Sequence, residues 1–162
     1  DRGPIDAEEL VTGGFWSTYW YGNHIYGTEI IRGLDVLTLE ASEHITANEI
    51  AAAGLADYDG VFNPQQQLPV TWPDHPVVAL ALLDQLARKG VTDTMTVKAA
   101  IDVMEAVRES FYAGESNRRS ARKIDGLAAK IGTSDDGKAA AEVMRAVAAH
   151  LRETQITSNG AD

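Results

Sequence analysis

The segment from residue 13 to residue 39 constrains the fold more than any other part of the chain. Three short runs rich in aromatic and β-branched residues alternate there with turn-forming pairs, Gly22-Asn23 and Arg32-Gly33. Such residues suit the pleated surface of a strand, and such pairs suit tight turns. We therefore predict a three-stranded antiparallel sheet with strands at 15–21, 24–31 and 34–39.

The second half of the chain changes to the 3.6-residue period of amphipathic helices. Pro76 suits a first helical turn, and Gly90 suits the position just past the end of that helix. Three more helices are predicted, one capped by Thr92 or Thr94 and ending at Gly114, one from Ser116 or Asn117 to Gly132, and one capped within 134–136 and ending near Leu151. Short connections between four such helices predict an antiparallel four-helix bundle, so the expected fold class is α+β.

The sequence between these two parts predicts a connecting region. Thr46 and Glu49 have the spacing of a capping box, which predicts a short helix. A proline- and glutamine-rich strap at 60–73 is expected to join the sheet to the bundle. The predicted organisation is a partial blade-like sheet at 1–45, a linker at 46–74, a helical bundle at 75–155 and a frayed tail at 156–162.

The charge distribution limits the partners of this chain. Residues 1–75 hold twelve acidic and two basic residues, a net charge of −10, whereas residues 76–162 hold twelve of each. An acidic surface repels phosphate backbones, so we do not expect nucleic-acid binding. The chain has no cysteine and no apolar run of about 18 residues, so neither disulfides nor a membrane span are expected.

Four short motifs in the first half of the chain occur in the same order as in a known protein family. They are Gly-Gly-Phe-Trp-Ser-x-Tyr-Trp-Tyr at 13–21, Ile-Tyr-Gly-x-Glu-Ile at 25–30, Arg-Gly-Leu-Asp-Val at 32–36, and Ser-Glu-His at 42–44. In this order they resemble the closing blade of LVIVD-repeat β-propeller proteins, which are exported bacterial proteins. The helical half resembles the tail that follows the propeller in some members.

The resemblance implies a fold and a compartment but no catalytic residue. It implies a secreted or cell-surface protein, with upstream propeller blades as partners of the sheet. A closed propeller needs at least four blades, and this chain supplies one. The chain also begins with Asp1 rather than Met, so we expect it to be the end of a longer or processed protein.

The aromatic residues of the predicted sheet are candidates for ligand binding. Strict alternation would place Trp16, Thr18 and Trp20 on one face, and Phe15, Ser17, Tyr19 and Tyr21 on the other. Aromatic rings on both faces favour packing between protein layers, and stacking on sugar rings is the alternative. The ligand-binding candidates are Trp16, Tyr19, Trp20 and Tyr26. If no other layer covers the sheet, we expect it to form a homodimer or to pack on the bundle.

Metal and catalytic sites are weakly indicated. His24, Glu29 and His44 are the candidates for a metal site, since imidazole and carboxylate groups suit Zn²⁺ or Mn²⁺. Their spacing matches no compact ligand motif, and no Gly-x-Ser-x-Gly sequence occurs. We therefore predict no cofactor and a non-catalytic interaction or structural module, with a fragment of a metal-assisted hydrolase as the alternative.

A basic stripe lies on the third predicted helix of the bundle. The stripe consists of Arg118, Arg119 and Arg122, of which Arg118 and Arg122 are four positions apart and share one helical face. This stripe is the candidate surface for an acidic partner or for the acidic half of the molecule itself. The alternative is an ordinary solvated helix face.

Overall fold

The computed structural model describes residues 5–57, 70–90 and 92–153 and has an α+β architecture. Three strands precede six helices in this part of the chain. Their bounds are β1 Phe15–Tyr21, β2 His24–Glu29, β3 Gly33–Leu37, α1 Ala47–Ala53, α2 Pro76–Lys89, α3 Thr94–Ala106, α4 Arg108–Tyr112, α5 Arg118–Ile131 and α6 Lys138–His150. The predicted three-stranded antiparallel sheet followed by a helical bundle is confirmed. No helix in the described ranges has the length and apolar character needed to cross a bilayer.

The sheet is a meander in the order β1-β2-β3, with both neighbouring pairs antiparallel. Gly22 and Asn23 connect the first two strands with φ angles of 55° and 66°. Two consecutive positive φ values match the twist of a two-residue hairpin, which explains this Gly-Asn pair. The second and third strands end at Glu29 and Leu37, two residues earlier than predicted in each case.

A β-bulge changes the alternation of the first strand. Phe15 pairs with Glu29 and Ser17 pairs with Thr28, so Trp16 is an additional residue between two consecutive partners. The ring of Phe15 lies against Gly27, because a Cβ at Gly27 would be only 2.6 Å from it. Gly27 pairs with Thr18. Phe15 therefore lies on the face of Thr18, and its predicted placement with Ser17 and Tyr19 is wrong.

Helix termini in the bundle follow local capping chemistry. Pro76 occupies the first turn of α2, and Gly90 ends it with a φ of 65°, as predicted. The N-cap of α3 is Asp93 rather than Thr92 or Thr94, since a carboxylate can accept the Thr96 N–H at 2.8 Å. Asn117 caps α5, and Gly132 follows its end.

Two predicted helices differ from the structure. The helix expected to reach Gly114 is interrupted at Val107, which separates α3 from the short α4. The last helix has Gly137 as its N-cap, because residues 134–136 form a turn instead. In that turn the Gly137 N–H donates to Ser134 Oγ at 3.0 Å.

One hydrophobic core joins α2, α3, α5 and α6. Its largest side chains are almost completely inaccessible and come from all four helices: Leu80, Leu83, Met104, Ile124, Ile131, Met144 and Leu151, with Val97, Val107 and Val147. Burial of this apolar area is the main source of stability for the bundle. In contrast, no strand within the described ranges packs extensively on a helix.

The connecting region is fixed to the bundle through α1. Thr46 and Glu49 form the predicted capping box, and Thr46 Oγ1 also donates to Asp84 on α2 at 2.7 Å. Further along, Asp57 and Thr71 exchange two backbone hydrogen bonds of 2.8 and 3.2 Å. Most of the predicted strap at 60–73 lies outside the described residues, which resume at residue 70.

Candidate functional site

Large apolar side chains are exposed across the sheet. Trp16 is 81% exposed, Leu34 is 56% exposed and Val36 is 53% exposed. Phe15, Tyr21 and Leu37 are also largely accessible. We call the accessible side chains of these three strands the apolar sheet surface. A soluble protein rarely leaves so many large apolar side chains close together without a binding role.

The strand register divides the aromatic candidates between the two faces. Tyr19 pairs directly with Tyr26, which pairs with Val36, so these three side chains share one face. Trp20 pairs with Ile25, and Ile25 pairs with Leu37 on the opposite face. The four predicted ligand-binding residues therefore do not form one surface, because Trp20 is separated by the sheet from Tyr19 and Tyr26. Trp16 lies at the bulge.

The metal candidates have separate local roles. The Glu29 carboxylate accepts N–H groups from Gly14 at 2.6 Å, from Ile31 at 3.0 Å and from Arg32. These hydrogen bonds favour the charged carboxylate and so hold the pKa of Glu29 below its usual value. The bond from the Gly14 N–H is the largest cause. Its carboxylate therefore closes the β2–β3 turn.

His24 and His44 are not brought to that carboxylate. His24 Nδ1 lies 2.7 Å from the Gly22 carbonyl oxygen. His44 is highly exposed and lies 3.5 Å from Glu43. Within the described ranges, no three His, Asp or Glu side chains are grouped so that they could hold a metal ion.

Two of the three predicted arginines gather around one surface concavity. Arg118 and Arg122 line a concavity of about 340 Å³ together with Arg152, and Arg119 is not among the residues that line it. Arg152 forms an ion pair with Asp125 on α5. Sequence reasoning missed Arg152 because it is 30 positions away. The Asn117 N–H donates to the Leu151 carbonyl at 2.8 Å and so joins the end of α6 to the start of α5.

A larger groove lies between α1, α2 and α6, and we call it the α1–α6 groove. Its volume is about 650 Å³, within the usual range for small-molecule sites. Most of its lining is apolar and small: Ile45, Ala52, Ala53, Trp72, Val78, Ala81, Leu82, Ala139 and Val143. Glu49, Gln85 and Glu142 are the polar residues of the lining. No spacing pattern in the sequence indicated this groove.

Glu49, at one side of the α1–α6 groove, is electrostatically compensated. The Arg88 guanidinium donates two hydrogen bonds to its carboxylate, at 2.6 and 2.9 Å. The Thr46 N–H donates to it as well, at 2.8 Å. The Arg88 hydrogen bond is the largest cause that lowers the pKa of Glu49, to about 2, so this group remains ionised at neutral pH.

A cluster of aromatic and imidazole rings connects α2, α4 and α6 near their ends. His75 lies edge-on to Phe111, with ring centroids 5.3 Å apart, and Phe111 contacts His150 at 4.4 Å. His75 Nδ1 also accepts the Val77 N–H at 3.1 Å and so caps α2. Burial lowers the pKa of His75, and the positive charge of Arg108 lowers it further. This arrangement favours the neutral imidazole that the cap requires.

Comparisons of the chain with protein families, with curated proteins and with solved structures found no match. The candidates are the apolar sheet surface, the arginine concavity and the α1–α6 groove.

Proposed function

We propose that this chain is a non-catalytic interaction module of a secreted or cell-surface protein, and that its sheet packs against the β-blades of a propeller. The exposed apolar side chains on both faces of the sheet are the observation that supports this proposal. A sheet covered on one side would need only one apolar face. A blade between two neighbours needs two.

The separation between sheet and bundle supports the same function. The helices bury their apolar side chains against one another, so the bundle does not use the sheet to complete its core. Asn23, at the β1–β2 turn, lies against Gly54 after α1, and a Cβ at Gly54 would collide with it. This contact joins the β1–β2 turn to the end of α1, while Leu34 and Val36 remain accessible to another protein layer.

The contacts that His24, Glu29 and His44 make give the hydrolase alternative little support. Glu29 is engaged by backbone N–H groups, and His44 is exposed near Glu43. His24 lies beside the Gly22 carbonyl oxygen and away from both of these groups. The interaction module is therefore the function we propose for this part of the chain.

Self-association of the purified chain tests the proposed role of the sheet. Without its blades, the sheet is expected to pair with a second copy, so the sedimentation coefficient should rise with protein concentration. The double variant Leu34→Lys, Val36→Lys should remain a monomer at every concentration, because both positions are exposed and the charges oppose contact.

The control is Met95→Lys, which adds a charge at an exposed apolar residue of the bundle. It should associate like the unmodified chain. A chain that stays monomeric at all concentrations, or a control that dissociates as fully as the double variant, would contradict the proposal.

The compartment and the propeller are tested on the native protein. Its intact mass and terminal sequence should be determined separately from cells and from culture medium. The proposal expects the protein in the medium or at the cell surface, joined to further blade sequences. A native species that is confined to the cell interior and contains no blade sequence would oppose it.

A further inference from the structure

We propose that the α1–α6 groove binds a small amphiphilic organic cation, with its apolar body over α2 and its ammonium group beside Trp72 and Glu142. This inference is independent of the proposed role of the sheet. It depends on the shape, the composition and the charge of one groove on the helical side of the molecule.

The shape and lining of the groove fit an apolar body. Its floor includes Val78, Ala81 and Leu82 on α2, and Ala52 and Ala53 form the α1 side. The alanine side chains of α1 and α2 fill little of the space between these helices, and a groove of about 650 Å³ remains there. Transfer of an alkyl chain from water into such an apolar space is favourable.

The charge of the lining selects a cation over an anion. Among the described residues that line the groove, the charged side chains are Glu49 and Glu142, and both are carboxylates. Glu49 is already paired with Arg88. Glu142 is exposed on α6, and it forms no direct ion pair or hydrogen bond with another described residue. A fatty acid would place a second carboxylate near these groups without a basic partner.

Trp72 adds a surface that favours the same ligand. Its side chain lines the groove and is about 50% exposed. The face of an indole ring attracts ammonium groups more strongly than any other side-chain ring. An apolar floor, an aromatic ring and a carboxylate without a direct ion-pair partner together suit a quaternary ammonium ligand with an alkyl chain.

Titration with octyltrimethylammonium below its micelle concentration tests the proposal. Binding should shift the NMR signals of the Val78 and Val143 methyl groups and saturate at one ligand per chain. Octanoate and octanol carry the same chain with a negative or a neutral head. Both should bind at least threefold more weakly, because neither has a charge that Glu142 and Trp72 attract.

Three variants locate the site. Glu142→Gln should weaken octyltrimethylammonium about threefold and leave octanol unchanged, whereas the matched control Glu109→Gln, on α4, should change neither. Trp72→Leu keeps an apolar wall and should weaken the cation alone. Ala139→Trp fills the groove from an exposed position of α6 and should abolish binding of both ligands without lowering the melting temperature.

Three results would each overturn the proposal. The first is the absence of saturable binding by octyltrimethylammonium. The second is octanoate binding as tightly as the cation. The third is binding that Ala139→Trp leaves intact. None of these variants changes a sheet residue, so failure here and failure of sheet-mediated association are separate outcomes. Sedimentation of the same variants confirms that their self-association is unaltered.

Discussion

The bundle and the sheet carry similar apolar side chains, but the bundle buries them and the sheet leaves many of them exposed. Leu83, on α2, is completely inaccessible, whereas Leu34, on β3, is 56% exposed. The bundle supplies four helices that surround a common interior, so each apolar face finds a partner within the chain. The sheet is a single layer, and no second layer of the described chain covers it. Apolar patterning therefore specifies a buried face only where the chain also supplies the opposing surface.

The largest expected difference between the two regions is the cost of shortening a leucine. Leu83→Ala should lower the free energy of unfolding by about 2–5 kcal/mol, because it removes a buried side chain and leaves a cavity. Leu34→Ala should lower it by less than about 0.5 kcal/mol in the monomer, since the side chain is already mostly in water. Urea denaturation at low protein concentration measures both values. Equal losses at the two positions would mean that another layer covers the sheet.

A smaller effect is expected where α1 joins the bundle. Glu49→Gln should lower the free energy of unfolding by about 1 kcal/mol, because glutamine keeps the capping box but loses the charge that binds Arg88. The value is modest because the Arg88 side chain is 38% exposed and solvent screens the pair. Chemical denaturation followed by the NMR signal of a backbone amide in α1 measures this loss. An unchanged stability would show that the Glu49–Arg88 pair adds nothing to the apolar contacts and the Thr46–Asp84 hydrogen bond that also hold α1.

The same pair predicts a pH dependence of stability. The pKa of Glu49 is lowered in the folded protein from 4.5 to about 2. The stabilising contribution is therefore complete above about pH 4.5 and is lost as the pH falls through about 2, because the unfolded state binds the proton more tightly there. Glu49→Gln should flatten the stability profile in this window. A profile identical to that of the unmodified chain would assign the acid sensitivity to other carboxylates.

The His75 cap at the start of α2 predicts a second pH dependence of stability, at a higher pH than that of Glu49. Burial lowers its pKa below 6.5 in the folded state, so neutral His75 stabilises α2 above about pH 6.5. That contribution decreases as the pH falls through the folded-state pKa, because the unfolded state is protonated first. NMR titration of His75 should give a midpoint below the ordinary value for an imidazole. His75→Asn keeps a capping oxygen and should remove this pH dependence.

A small effect is also expected at the arginine concavity. The Arg152 and Asp125 side chains are each 40% exposed, so Asp125→Asn should change the free energy of unfolding by less than about 1 kcal/mol. Thermal denaturation at low and high salt measures the change. A larger loss would mean that this ion pair, rather than the core alone, holds the end of α6 against α5.

Most local elements could be predicted because their causes lie within a few residues. The hairpin at Gly22-Asn23, the capping box at Thr46 and the end of α2 at Gly90 follow from turn and cap chemistry alone. The alternation at Phe15 failed because the bulge depends on its contact with Gly27, twelve positions away. The cap of α3 was missed because three neighbouring polar residues compete, and the Asp93 carboxylate is the one that reaches the Thr96 N–H.

The candidate sites depended much more on tertiary structure. The sequence by itself determined the sheet, the four main helices and the uneven charge between the two halves. Only the tertiary structure placed Tyr19 beside Tyr26 and away from Trp20, brought Arg152 to Arg122 and left a groove between α1 and α6. Caps and turns satisfy backbone groups over three or four residues, so they are local. A surface or a groove forms where distant segments meet, or fail to meet, and that depends on the packing of the whole chain.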